Sequence, residues 1–273
     1  MMRQNGVFTS SANLTVMCNA AFKAARGLVR DFGEVENLQV SRKGPGDFVS
    51  SADRKAEEVL YKELKKARPH NGFLMEESEE EISDSGFRFI IDPLDGTTNF
   101  LHGIPHFAIS IALEKNGEII AGVIYDPIKD EMFIAEKGFG AYCNDRRIRV
   151  SGRKDMTQTL LATGIPFAMH SKKEMETFQK SINTLMPKVA GIRRFGAASL
   201  DLAYVAAGRY DAYWESALQP WDVAAGLLIV KEAGGYVTDL QGGDKVLEKN
   251  TILASNSKLH GGLLKELKPL YGV

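Results

Sequence analysis

Ile90-Ile91-Asp92-Pro93-Leu94-Asp95-Gly96-Thr97-Thr98-Asn99-Phe100 is the stretch whose reading decides this chain. An apolar run over 87–91 ends directly in Asp-Pro. Proline has no N–H for a sheet ladder, so the strand is expected to stop there. Asp95 comes three residues after Asp92, and Gly96 permits a tight backbone. Two carboxylates at a strand end, followed by Gly-Thr-Thr, can hold a hard cation beside exposed backbone N–H groups. Oxygen-only ligation suits Mg²⁺, which keeps waters and completes its shell with substrate phosphate. The N–H groups of 96–98 can cradle that phosphate if they open a helix. Taken alone, an Asp-rich segment of this kind is more often a plain turn.

Three other acids change the balance. Glu76 follows a short strand at 73–75 and opens the acidic run Glu76-Glu77-Ser78-Glu79-Glu80-Glu81. Asp222 begins a helix behind Pro220-Trp221, and Asp53 sits in the first turn of another. Singly, each reads as a solvated loop acid or an ordinary helix-start acid. Were they to gather with Asp92 and Asp95, five carboxylates would share one pocket. Two unit charges 4 Å apart repel by ~4 kcal/mol even at an effective dielectric near 20. Such a cluster needs cations or protons at neutral pH.

Working outward, helical spacing runs over 11–30, with Leu14, Met17, Ala21, Ala24 and Leu28 on one face and Gly33 closing it. A second helix is expected over 52–67, capped by Ser50 or Ser51. Strands follow at 87–91, 108–113, 119–125 and 131–135, separated by Lys115-Asn116-Gly117, Asp126-Pro127 and Asn144-Asp145. This reads as an antiparallel meander after a helix pair. Beyond Ser151-Gly152 strands (160–163, 191–195, 211–214, 236–238, 252–254) alternate with helices (172–185, 198–206, 221–233, 256–270), which suggests a second sheet with helix cover. The expected division is 1–150, a helix pair plus antiparallel sheet with the main metal motif, and 151–273, an α/β half with the second motif and the substrate contacts. The two pack closely as one functional unit.

At 273 residues the chain holds about two domains' worth of sequence. Apolar residues are 44% and charged residues 25%, as in an ordinary globular protein. With 34 Lys and Arg against 35 Asp and Glu, the net charge of −1 argues against a nucleic-acid or acidic-membrane partner recognised through bulk charge. No apolar run reaches the ~18–20 residues of a membrane helix. The beginning of the sequence lacks the apolar stretch of a secretory signal. Cys18 and Cys143 have no metal-type spacing, so a disulfide scaffold or CxxC zinc site is not the theme. A reduced, cytoplasmic protein is expected.

These residues carry a family resemblance. Asp92-Pro93-Leu94-Asp95-Gly96-Thr97-Thr98-Asn99-Phe100 resembles, nearly letter for letter, the first signature of the inositol monophosphatase family of Mg²⁺-dependent, lithium-sensitive phosphatases. Trp221-Asp222-Val223-Ala224-Ala225-Gly226, continuing to Glu232-Ala233-Gly234-Gly235, resembles its second. Glu76-Glu77-Ser78, and Asp47-Phe48-Val49 leading to Asp53, match in order and spacing. The resemblance covers about 12–265. It implies a five-layer αβαβα sandwich and a homodimer. It also implies that Glu76, Asp92 and the carbonyl of Leu94 hold a first Mg²⁺, and that Asp92, Asp95 and Asp222 hold a second. Glu76 would touch a third, weaker ion. Thr97, hydrogen-bonded to Asp53, and Glu76 would activate the attacking water. Gly96 and Thr97 would hold the phosphate. Gly196, Ala197, Ala198 and Glu215 would meet the inositol hydroxyls, with Arg193 nearby.

The sequence departs from the family in places. Met75 stands where a glycine is usual. Ala197 replaces a hydroxyl found in some relatives, a contact that Ser199 could supply. Lys43 lies in a loop expected over 41–47 and receives no role. His102 and His106 suggest a metal pair, but the oxygen-only site favours structural roles. Gly138-Phe139-Gly140 reads as a turn, and Trp214 and Trp221 as core or pocket wall. The leading expectation is hydrolysis of myo-inositol 1-phosphate by water, with no covalent phosphoenzyme. Fructose 1,6-bisphosphate, 3′-phosphoadenosine phosphate and histidinol phosphate are rival substrates. A non-catalytic regulatory or assembly protein is the rival of another class.

Overall fold

A computed structural model of the chain describes residues 11–34, 40–44, 47–166 and 171–272. The elements are, in chain order, α1 (Ala12–Phe32), β1 (Val40–Gly44), β2 (Asp47–Ser50), α2 (Ser51–Ala67), β3 (Gly72–Met75), β4 (Phe87–Asp95), α3 (Thr97–Leu101), β5 (Ala108–Lys115), β6 (Glu118–Asp126), β7 (Glu131–Glu136), β8 (Gly140–Cys143) and β9 (Arg146–Arg147). Then follow β10 (Leu160–Thr163), α4 (Lys172–Leu185), β11 (Gly191–Arg193), α5 (Ala198–Ala206), β12 (Ala212–Ser216), α6 (Pro220–Glu232), β13 (Tyr236–Thr238), α7 (Val246–Lys249), β14 (Thr251–Ser255) and α8 (His260–Tyr271).

α1 starts where Ser11 accepts the N–H groups of Asn13 and Leu14, and its Leu14, Met17, Ala21, Ala24 and Leu28 stripe is buried. It pairs with α2, and the pair covers one face of a seven-stranded sheet of order β3-β4-β5-β6-β7-β8-β9. The other face of that sheet meets α5 and α6. Beyond them lies a five-stranded sheet of order β11-β10-β12-β14-β13, backed by α4 and α8. Among the described residues three apolar cores fill the four gaps between these five layers, the middle core lying on both sides of α5 and α6. The middle core joins residues from both halves of the sequence, Ile90 and Ala112 with Ala203 and Ile229. Alternate residues of β4 serve different cores: Phe89 and Ile91 face the α1–α2 pair, while Ile90 faces α5 and α6.

Three expectations need correction. β3 pairs parallel to β4, so the meander proper begins at β4. The expected loop over 41–47 contains an antiparallel ladder between β1 and β2; residues 45–46 and the side chain of Lys43 lie outside the described residues, as do residues 1–10. The third concerns Pro93. β4 does not stop at Asp92; it continues to Asp95 through an irregularity. Asp92 pairs with Ser110 and Asp95 with Ala108, so Pro93 and Leu94 together stand opposite one residue of β5. This bulge accommodates the missing N–H of proline. It also sets the geometry of the motif. Residues three apart on a regular strand face opposite sides, whereas partners two apart on β5 put Asp92 and Asp95 on the same side.

Candidate active site

Glu76, Asp92, Leu94, Asp95, Gly96, Thr97, Gly196, Ala197, Ala198, Glu215 and Asp222 line one cleft of about 690 Å³. Glu76 follows β3, Asp92 and Asp95 come from the β4 bulge, and Asp222 sits in the first turn of α6. The β3–β4 pairing and the packing of α6 on β4 and β5 bring them together. Gly96 links the bulge to α3 in the left-handed region, at φ 92°, and a Cβ there would stand 3.0 Å from the carbonyl oxygen of His106. Both facts exclude any other residue without local rearrangement.

Asp92, Asp95 and Asp222 each have their own donor. Leu94 N–H donates to Asp92 Oδ1 (2.9 Å), and Gln219 N–H to Asp222 Oδ2 (2.6 Å). Ser199 gives both its N–H (2.7 Å) and its hydroxyl to Asp95 Oδ2, while Ala198 N–H donates to Asp95 Oδ1 (3.2 Å). Asp95 thus receives the first N–H groups of α5. Ser199 is fully buried against it, so it does not replace the hydroxyl missing at Ala197.

Burial, then repulsion from Glu76, Asp95 and Asp222, pushes the Asp92 carboxyl well above its ordinary range. Burial likewise raises Asp222 well above it, with Asp95, Glu76 and Glu215 adding repulsion against the Gln219 hydrogen bond. Asp95 is raised by burial, and the Ser199 and Ala198 donors oppose the shift. Among the described residues no three His, Cys, Asp or Glu side chains form a ready-made metal cluster. Asp92, Asp95 and Asp222 are turned toward their separate donors, yet Asp92 and Asp222 are repelled through the cleft by Asp95 and Glu76. Their donor set, with the Leu94 carbonyl, is oxygen alone and suits a hard divalent cation, whose charge would relieve that repulsion.

Asp53 does not line the cleft. It is buried behind Thr97, whose hydroxyl lies 3.0 Å from both Asp53 Oδ1 and the Leu94 carbonyl. Glu215 receives the Tyr213 hydroxyl. Burial raises its carboxyl to about 7; Asp95 adds to this, while Tyr213 and Arg194 oppose it. Gly164 packs so closely on Glu215 that an added Cβ would fall inside the carboxylate.

Arg193 does not reach the cleft. It is exposed on the edge strand β11 and donates to the Ile192 carbonyl (3.2 Å), while Arg194 lines the cleft. Consecutive residues of an extended chain point to opposite sides, so the alternative basic residue takes the place. Met75 is buried in the core under α2 and points away from the cleft. His102 and His106 stay outside it as well; His106 is buried against Phe195 and Tyr204 and held neutral, at about 4, mainly by burial. Trp214 is core and Trp221 is cleft wall.

Sequence reading missed Arg194, Gly164, Tyr213 and Asn99. The Asn99 amide donates to the carbonyls of His106 (2.8 Å) and Phe195 (2.7 Å), tying the first motif to the segment carrying Gly196. Its place inside the first signature was the one available signal.

Among known proteins, the model of the inositol monophosphatase family matches residues 11–270. The chain is 55% identical to an inositol-1-monophosphatase of Mesorhizobium japonicum, over 94% of this chain and 97% of that protein. It is 45% identical to a Nus factor SuhB of Pseudomonas aeruginosa, over 93% and 96% of the two. The crystal structure of extragenic suppressor protein suhB from Bartonella henselae superposes with a TM-score of 0.92 at 58% identity, covering 96% of this chain and 100% of that one.

Proposed function

From the premise that the chain belongs to the inositol monophosphatase family, we propose that it is a Mg²⁺-dependent phosphate monoester hydrolase that converts myo-inositol 1-phosphate to inositol and phosphate by direct attack of water. The observation that carries the reading is a single cleft lined both by Glu76, Asp92, Asp95 and Asp222 and by Glu215. The first set suits divalent cations, which would in turn draw a phosphate. Glu215 suits a polyol, because a carboxylate accepts several hydroxyl hydrogen bonds. Glu76, Asp92 and the Leu94 carbonyl would hold one Mg²⁺; Asp92, Asp95 and Asp222 a second; Glu76 a weaker third. Bound Mg²⁺ supplies positive charge to phosphate and leaving oxygens and lowers the pKa of water.

The remaining work falls to the chain. Thr97 has one hydroxyl proton and two acceptors at 3.0 Å, Asp53 Oδ1 and the Leu94 carbonyl. Donating that hydrogen bond to Asp53 leaves a Thr97 oxygen lone pair to accept a hydrogen bond from the attacking water, whose proton would pass to Glu76 as base. Backbone N–H groups of Gly96 and Thr97 orient the phosphate. Gly196, Ala197 and Ala198 bound the sugar side with Glu215. Neither thiol is suited to attack: burial raises Cys18 to about 12 and Cys143 to about 11.

Side-by-side kcat/KM values for myo-inositol 1-phosphate, fructose 1,6-bisphosphate, 3′-phosphoadenosine phosphate and histidinol phosphate test the substrate. A tenfold or larger preference for a rival overturns it. Among the described residues no helix is long and apolar enough to cross a membrane. The reading carries a cytoplasmic homodimer, checked by light scattering after size exclusion. The 45% identical relative named Nus factor SuhB favours a second reading, a regulatory or assembly role. Full cellular function of a turnover-dead Asp95→Asn chain would select it.

A further inference from the structure

α2 carries a second buried acid that the sequence reading did not single out. Glu57 follows Asp53 by four residues, so both lie on one face of the helix, and both are buried. Asp53 reaches Thr97. Glu57 reaches the segment just after Glu76: its Oε2 accepts the Glu77 N–H at 2.8 Å, and its Oε1 accepts the Ser78 hydroxyl. One rigid helix therefore grips two separate pieces of the cleft, the start of α3 and the turn that bears Glu76.

We propose that Glu57 is a positioning residue that fixes the Glu76 carboxylate at the cation side of the cleft by tethering Glu77 and Ser78 to α2. The inference deepens the phosphatase reading and rests on it. Glu76 leaves the end of β3 and enters an acidic run, Glu76-Glu77-Ser78-Glu79-Glu80-Glu81, whose like charges favour an extended, solvated course. The parallel pairing of β3 with β4 ends at Met75, so the ladder no longer holds the backbone one residue later. A buried carboxylate accepting one backbone N–H and one hydroxyl from consecutive residues fixes both the direction and the depth of the turn. Groups that orient a metal ligand from behind typically change metal affinity ten- to hundredfold when removed.

The role depends on the reach of the side chain, not on its charge, and two substitutions separate these. Glu57→Asp keeps the charge but is one methylene too short to hold both donors. Glu57→Gln loses the charge but keeps the reach: its carbonyl accepts the Glu77 N–H, and its amide donates to a turned Ser78 hydroxyl. Mn²⁺ binding to the metal-stripped chain, read by calorimetry and by loss of the free Mn²⁺ spin-resonance signal, is measured with melting in EDTA and the Mg²⁺ dependence of phosphate release. Expected is a roughly tenfold or greater weakening of Mn²⁺ binding in Glu57→Asp, with Glu57→Gln within about threefold of the parent. Glu57→Asp binding Mn²⁺ as the parent does, or Glu57→Gln weakening it as much as Glu57→Asp, overturns the proposal. A parent chain that neither binds Mn²⁺ nor releases phosphate overturns the phosphatase reading itself, and this proposal with it.

Discussion

Replacing Glu215 by Gln should abolish a distinct part of the pH dependence of stability. Burial, aided by Asp95, moves this carboxyl from its ordinary 4.5 to about 7. Between those values the folded chain retains a proton that the unfolded chain has already released. Stability from this group is therefore undiminished below the lower value, falls as pH rises through the window, and levels off above the upper value. A gap of about 2.5 between the two values, at about 1.4 kcal/mol each, makes the total loss roughly 3.5 kcal/mol. The amide of Gln has no such proton to retain. Urea denaturation followed by circular dichroism at about pH 5, 6, 7 and 8, in EDTA, gives both curves. Asp92, Asp201 and Asp222 are also raised by burial and both chains carry them; Glu215 adds to the shifts of Asp201 and Asp222, so the difference reads Glu215 together with its repulsion of those two. Relative to the parent, Glu215→Gln should gain roughly 2.5 kcal/mol between about pH 5 and about pH 8, the part of the window these measurements span. Parallel curves would refute the reasoning.

Asp95→Asn presents an amide to the Ala198 and Ser199 N–H groups that now donate to it, which should cost about 1–2 kcal/mol in unfolding free energy while turnover falls on the order of 100-fold or more; near-normal turnover would remove Asp95 from the metal set. Gly164→Ala drives a methyl group into the Glu215 carboxylate, so KM for myo-inositol 1-phosphate should rise about tenfold with a smaller change in kcat, in steady-state phosphate-release assays. Chelation should stop phosphate release and added Mg²⁺ restore it. At a hundredfold excess over its dissociation constant, Mg²⁺ should also add about 2.7 kcal/mol of stability, visible as a melting-temperature rise of several degrees.

Local patterning made most elements legible. The α1 and α2 stripes, the β5–β7 alternation, and α4 and α5 fall where apolar spacing puts them. The short strands β8 and β9 were missed because they stand among the turn signals Gly138-Phe139-Gly140 and Asn144-Asp145. The β4 extension was missed because proline was read as a stop, whereas pairing with β5 absorbs it as a bulge. At the cleft, acids inside long signatures could be named from the chain. Arg194 could not be told from Arg193 without knowing which way the backbone turns after β11.

The sequence by itself determined which residue types are present for the chemistry: acids beside Gly96 and Thr97, a helix-start acid at Asp222, and the family they resemble. Only the tertiary structure decided which of these share a cleft, that Asp53 and Glu57 are buried behind it with hydrogen bonds to Thr97 and Glu77, and that Ser199 donates to Asp95. The reason is physical. Propensity and periodicity act over a few neighbouring residues, while the burial, repulsion and hydrogen bonds that set a carboxylate's charge and direction come from groups far away along the chain. Asp95 and Ser199 are 104 positions apart in sequence and hydrogen-bonded in the fold.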